Sequence, residues 1–386
     1  MIKYILQRIG FALLTLVIIM FVVYVLTAQF SINPFAEKAN GSSAGSEANK
    51  NKEFLEKLFD SSVKYHFLPE SWNGQYNTYK DIWIDYKLDP FTRFWYWFSD
   101  IFKNKENPFG LPYDGGILST FDVKSISELV FKYLKISIIV TIPAFFISAF
   151  IGIILGIFAG YKRGTIFDAI INLFSLFFIA LPSFIIAPIM ISILLNFKVT
   201  PSFINPYGSD ANVYSNYDIF ISWLPPILII VLGSLSAYIT FTRNQVITVL
   251  TSNYVLIAKS KGLGTIEIFL KYVLRNISIP LAALLIPSYI GLLTGGIVIE
   301  TYWNIPGVSR VITAAFPKGE INIIMFNTVF FTFLGILTTI VVDVSYTVLD
   351  PRIKYASKSG FSYFQMFLTS IKRNNEFKLL INKKEN

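Results

Sequence analysis

Residues 253–280 read NYVLIAKSKGLGTIEIFLKYVLRNISIP, a short polar interruption in a very apolar chain. Charge-free stretches of membrane length flank it, residues 219–242 and 277–299. Between them stand Arg243, Lys259, Lys261, Lys271 and Arg275 against a single acid, Glu267. That basic excess places the loop, residues 243–276, in the cytoplasm. Gly262 lies at its centre with helix-forming sequence on both sides. The pattern predicts two short helices meeting at a glycine, where a left-handed turn costs little. A helix pair held by two spans and pushed out of the membrane is a handle for another protein.

The rest of the chain has the composition that such a loop requires. It is 386 residues long, 54% hydrophobic and only 15% charged, where a soluble chain carries about 25% charged residues. An integral membrane protein follows. The net charge of +9 could suggest nucleic acid, but the basic residues cluster in short loops and in the tail, as the positive-inside rule requires. The absence of cysteine excludes disulfides and thiolate metal sites. The single histidine, His66, reads as an ordinary surface residue.

Working outward, residues 1–30 hold an N-terminal span whose apolar run is too long for a cleaved signal peptide. Residues 31–129 form an extracytoplasmic region. Within it, GSSAGS at 41–46 reads as a linker, and Phe54, Leu55, Leu58 and Phe59 make a helical stripe supported by Glu53 and Lys57. Residues 86–100 (YKLDPFTRFWYWFSD) are aromatic enough to lie on the membrane surface or to cover a lumen mouth. The region looks too sparse in hydrophobic core to be an independent sensor domain.

Residues 130–349 then supply five further spans, at about 136–160, 166–197, 219–242, 277–299 and 321–349. The second carries Gly152, Gly156 and Gly160 at four-residue intervals, a face for close helix approach. The third has Asp168 at its inner end and is interrupted by Pro182 and Pro188. The fifth carries Gly291 and Gly295 as a second packing face. Residues 350–386 are a basic cytoplasmic tail, in which Phe361, Phe364, Phe367, Leu368 and Ile371 keep helical spacing. Six spans put both termini in the cytoplasm of a multi-pass cell-membrane protein.

Several motifs also carry a resemblance. Ala258, Gly262, Ile277 and Pro280 stand at the spacings of the EAA loop of ABC-importer permeases, with Leu256 and Ile257 in its first two positions. Ala258-Lys259-Ser260-Lys261-Gly262 is close to the form seen in the oligopeptide/dipeptide branch. GIFAGYKRGTIFD at 156–168, ALPSF at 180–184, Glu300-Thr301 with Pro306-Gly307, and Asp343 with Asp350-Pro351-Arg352 are similar to that branch in the same order. Ser31-Ile32-Asn33-Pro34 departs from its usual Pro-Gly-Asp-Pro. The resemblance implies an all-α polytopic membrane protein with a six-helix type I importer (MetI-like) permease core. It implies a second homologous permease, two ATPase subunits, an extracytoplasmic substrate-binding protein and a peptide cargo. ATP and magnesium would sit on the ATPase subunits, with no cofactor in this chain. Leu256, Ile257, Ala258, Lys259, Lys261, Gly262 and Phe269 would form the ATPase-coupling surface.

Two acids are candidates for a lumen or gate. Glu300, beside Trp303, reads as a snorkelling carboxylate or as a rim contact. Asp343 lies inside a span, where a carboxylate normally marks function, or reaches the inner interface. No G-x-x-x-x-G-K-[ST], H-E-x-x-H or G-x-S-x-G occurs, so neither phosphate cradling nor hydrolytic catalysis is expected. The rival reading is a stand-alone secondary transporter or channel. Such proteins carry midplane ionisable or unwound elements and internal repeats, which this sequence does not display. A weaker rival is a receptor that binds its ligand through residues 31–129.

Overall fold

Glycine spacing organises the centre of the bundle. The computed structural model describes residues 2–42, 48–197, 199, 201–294, 296–349 and 369–373. Among these the regular structure is helical throughout. The first span is α1 (Ile2–Phe30). Five helices follow before the second span, α2 (Pro34–Ser42), α3 (Ala48–Lys64), α4 (Tyr76–Tyr79), α5 (Pro90–Lys103) and α6 (Gly116–Thr120). The longest helix is α7 (Ile126–Tyr161), 36 residues that begin at a Ser125 cap and continue through Pro143. Then come α8 (Ile166–Ala180), α9 (Ser183–Asn196) and the 35-residue α10 (Asn216–Leu250). The loop forms α11 (Asn253–Ser260) and α12 (Thr265–Ile268). A π-helical turn, Phe269–Val273, joins α12 to α13 (Leu274–Thr294). The chain then runs through α14 (Ile297–Tyr302), α15 (Val308–Ala315) and α16 (Ile321–Leu349).

Five helical stretches among the described residues are long and apolar enough to cross a membrane. A sixth span results if α8 and α9 are taken as one, but they are bent by 99°. The third span expected at 166–197 is therefore not one rod. Pro182 cannot donate to the preceding turn and biases Leu181 out of the helical region, so the break falls there, while Pro188 stays inside α9. The expected limits shift elsewhere too. Helix α7 starts ten residues before 136, α10 carries Arg243 well inside it, and the fifth apolar stretch runs from Thr265 to Tyr302, beyond 277–299 at both ends.

The three glycines of α7 pack as their spacing predicts. A Cβ at Gly152 would lie 2.7 Å from Tyr238 Cβ, one at Gly156 2.6 Å from Thr242 Cβ, and one at Gly160 2.7 Å from Val246 Cβ. Tyr238, Thr242 and Val246 are themselves four apart, so two four-residue ridges interlock along α7 and α10. Gly291 differs from this pattern. A Cβ there would meet nothing within 4 Å among the described residues, so none of the described helices packs closely on it. Gly295, the tail residues Phe361 to Leu368, and Asp350 lie outside the described residues.

Residues 31–125 fold onto the bundle, at the end of α7 remote from the 251–273 loop. They do have a core, contrary to the sparse one expected from the sequence. Phe35, Phe59, Leu68, Trp83, Trp97 and Tyr113 are buried together with Met20, Tyr24 and Ala28 of α1 and with Ile321 and Met325 of α16. That core is shared with two spans, which is why local composition does not reveal it. Of the expected α3 stripe, Leu55, Leu58 and Phe59 join the core while Phe54 stays exposed, and the Glu53–Lys57 pair (2.8 Å) forms as expected. Gly41 and Ser42, assigned to a linker, end α2 instead, and residues 43–47 lie outside the described set. His66 is not an ordinary surface residue. Its Nε2 lies 2.8 Å from Asp100 Oδ2, its ring stacks on Tyr96, and its backbone is left-handed at φ 59°.

Candidate functional site

The loop that interrupts the apolar chain is a rigid elbow. At the end of α11, Gly262 has φ +80°. The Leu263 N–H donates to the Ala258 carbonyl and the Gly262 N–H to the Lys259 carbonyl, at 3.3 and 2.9 Å. This is the Schellman arrangement, in which a left-handed residue satisfies the last carbonyls of a helix. Ala258 and Leu263 pack into the same apolar cluster, the hydrophobic contact that accompanies such a stop.

The second arm departs from expectation. Instead of a short separate helix, α12 runs through the π turn directly into α13. Ile268, Val273 and Ile277 are all buried with Val246, Val249, Val255 and Ala258. Ile268 and Val273 are five apart, which on an α-helix would turn them about 140° from each other. The wider π turn brings both onto one face. The arm is thereby continuous with the span, with no loop between α12 and α13.

The expected coupling residues divide between two sides of the elbow. Ala258 is buried and supports α11 from within. Phe269 is half-buried with its ring 6.1 Å from that of Tyr161. Both hold the elbow to the bundle rather than offering it outward. Leu256 and Ile257 are exposed, at 52% and 55%, as are Lys259 and Lys261. The structure adds Tyr254, Leu270 and above all Ile266, which is 76% exposed. Sequence reasoning missed these three because an eight-residue and a four-residue helix are too short for periodicity to assign a face.

Just above the elbow, Arg243 of α10 holds Asp168 of α8. Arg243 Nε lies 2.6 Å from Oδ1 and Nη2 2.8 Å from Oδ2, a bidentate pair. The Gly164 N–H adds a third donor at 3.0 Å. Both side chains are largely shielded, so removing one partner leaves an uncompensated charge, worth about 3 kcal/mol. Asp168→Asn is expected to lower the thermal midpoint of the purified protein. A double-mutant cycle with Arg243→Gln should return a coupling energy well above that of an exposed pair, about 0.5 kcal/mol. Additive single effects would show that the two side chains do not act together.

With this geometry in place, comparison with known proteins identifies the chain's kind. Residues 152–355, more than half of it, match the binding-protein-dependent transport system inner membrane component family. The chain belongs to that family. It is 32% identical over 240 residues to the oligopeptide transport system permease protein OppB of Mycoplasma pneumoniae, covering 62% of this chain and 61% of that protein. It is 30% identical to the protein of the same name from Mycoplasma genitalium, covering 62% and 58%. The dipeptide transport system permease protein DppB of Bacillus subtilis is 28% identical over 235 residues, covering 61% and 72%. The matched part thus spans about three-fifths of the length of the two mycoplasma relatives.

In this family member the two acids singled out from the sequence have different surroundings. Glu300 does not snorkel at an exposed interface; it is buried. Ser137 Oγ of α7 donates to Oε1 at 2.6 Å, and the Ser309 N–H of α15 donates to Oε2 at 2.9 Å. The Val308 N–H donates to Ser137 Oγ at 2.9 Å. A Cβ at Gly307 would collide with the Glu300 carboxylate. The Glu300…Pro306-Gly307 pattern is therefore a folded turn in which the glycine vacates space for the carboxylate. Asp343 pairs with Arg8 of α1 at 2.7 Å and ties the first and last spans together.

A third acid, Glu320, was not foreseen. It is buried before α16 and accepts the N–H groups of Tyr113 and Asp114 at 2.7 and 2.8 Å. Burial pushes its carboxyl above the usual range, and those two amide donors pull against the shift. Asn322 Nδ2 donates to the Leu111 carbonyl at 2.8 Å. Together they dock the 107–114 turn onto the last span.

Proposed function

We propose that this chain is one of two permease subunits of an ATP-driven importer of oligopeptides. Its partners are a second homologous permease, two ATPase subunits that carry ATP and magnesium, and an extracytoplasmic binding protein that delivers the peptide. Its spans form a type I (MetI-like) six-span core with the loop and both termini in the cytoplasm. Membership in a binding-protein-dependent transport family and the basic residues of the loop support this arrangement. The peptide cargo is supported by the names of the relatives from M. pneumoniae and B. subtilis, an oligopeptide and a dipeptide transport system permease protein.

The observation that carries the reading is the elbow's exposed apolar surface. Leu256, Ile257 and Ile266 project from a polar loop on a backbone whose turn is fixed by Gly262. Apolar anchors on a short rigid helix are what a groove on a partner recognises. ATP-driven closure of the partners would carry α11 and α12, and the fused α12–α13 arm would tilt the span. The partners shift that equilibrium only by gripping the two states unequally.

Replacing Leu256, Ile257 and Ile266 together by serine tests this directly. Buried anchors at such contacts each contribute about 2 kcal/mol or more, and 1.4 kcal/mol is tenfold in affinity. Co-purification of ATPase subunits in mild detergent is expected to fall at least tenfold while the variant still inserts and migrates as the parent. Undiminished co-purification would remove the loop from the ATPase contact.

A further inference from the structure

Helix α5 has three chemically distinct faces. At 100° per residue, Phe91, Trp95, Phe98 and Phe102 share one narrow sector, spaced by four, three and four. Phe91, Trp95 and Phe102 are exposed, the last two at 66% and 71%. Phe98 is half-buried and stands edge-on to Phe102 with ring centroids 5.3 Å apart. A second sector, Arg93, Phe94 and Trp97, is buried against the bundle. The third is polar, with Thr92, Tyr96, Ser99, Asp100 and Lys103, and there Asp100 meets His66. A helix with faces for protein, for an apolar medium and for water sits where all three meet.

The apolar sector continues the exposed apolar surface of a helix long enough to cross a membrane. Phe21, Val22, Leu26 and Phe30 of the spanning helix α1 are exposed, and the Phe21 ring lies 5.8 Å from that of Phe91. Phe21 also packs edge-on to Phe94, and Tyr24 contacts both Phe94 and Trp97. Two α1 residues one turn apart thus touch residues spread over about 9 Å of α5, as a helix crossing α1 does. The stripe from Phe91 to Phe102 is about 16 Å long. Lying flat, α5 keeps all four rings at one depth; standing upright, it would put one end into water. Lys103 in its last turn has the reach to bring its ammonium to lipid phosphates.

We infer that α5 is an in-plane membrane helix. It lies in the acyl–headgroup boundary of the leaflet that faces residues 31–125, with Phe91, Trp95, Phe98 and Phe102 in lipid and its polar face in water. It seats the 31–125 region against the bilayer instead of leaving that region free above it. This assignment is independent of the cargo and of the ATPase contact.

The chain has no cysteine, so the full-length protein accepts single spin labels without background. Phe91→Cys, Trp95→Cys, Phe98→Cys and Phe102→Cys would be labelled and reconstituted in phosphatidylcholine–phosphatidylglycerol vesicles. Collision with oxygen and with a water-soluble nickel chelate reads depth. All four labels are expected to favour oxygen and to agree in depth within about 4 Å, less than one helical turn. Val22→Cys serves as the lipid reference and Glu53→Cys as the aqueous one. Labels at 95 and 102 as open to nickel chelate as the one at 53 would overturn the inference. So would a depth gradient of about 16 Å along the helix, or shielding from both reagents, which would mean that protein covers the stripe. Brominated-lipid quenching lost in the unlabelled Trp95→Phe variant gives a second reading free of labels.

Discussion

If the proposed function holds, Gly262→Val is expected to leave the protein in the membrane and to cut peptide uptake at least tenfold, while ATP hydrolysis by the assembled complex continues. The residue has φ +80° and open space around its α-carbon, so valine meets no clash and acts through the backbone alone. A left-handed conformation costs an ordinary residue about 1–2 kcal/mol and suits a β-branched one least. The turn relaxes, the two hydrogen bonds that end α11 are lost, and Leu256 and Ile257 no longer hold a fixed position relative to Ile266. On the proposed function, hydrolysis survives because its chemistry belongs to the ATPase subunits. Gly262→Asn, which tolerates the left-handed region, should retain most of the uptake. Full uptake by the valine variant in proteoliposomes would show that the angle between the two arms does not matter.

The second large effect is expected at Gly156. Its missing Cβ would lie 2.6 Å from Thr242 Cβ and 2.8 Å from the Ile239 carbonyl oxygen. The second neighbour is backbone and cannot rotate away, so Gly156→Val must push α7 and α10 apart along their length. Overpacking of this kind costs about 1–3 kcal/mol where side chains can yield, and here the obstruction is partly main chain. Low accumulation and a lost monodisperse peak in detergent are expected. Gly291→Ala is the matched control, since a Cβ there meets nothing within 4 Å and the fold of this chain should be unaffected. Equal stability of the two variants would mean that the interlocked face is not what holds the bundle.

These contrasting glycines show how far the sequence could be read. Four-residue spacing announced a smooth face at Gly152, Gly156 and Gly160, and the fold uses it. The small-residue face around Gly291 meets no partner at that glycine among the described residues, because spacing reports what a helix allows and not which neighbour arrives. Gly262 was legible because it stands at the centre of the loop, directly after one helix-forming stretch, where a left-handed turn is needed. The Glu300-to-Gly307 pattern was legible as a motif, yet its meaning was not, since Ser137 is 163 residues away from Glu300. Asp168 and Arg243 were each visible, but no local rule pairs groups 75 residues apart. The π turn disguised the inward face of the second arm by placing Ile268 and Val273 five apart, a spacing that a 3.6-residue period counts as opposite sides.

The 36-residue helix α7 begins at a Ser125 cap and ends at Tyr161, about 54 Å later. Near its start Ser137 grips Glu300 and Val308, and near its finish Gly160 interlocks with Val246 of α10, a few residues before the elbow. A single rod clamped at both extremities has little slack to absorb a push. On the proposed function, a load at the Glu300–Val308 turn and a load on the loop would bear on one shared strut.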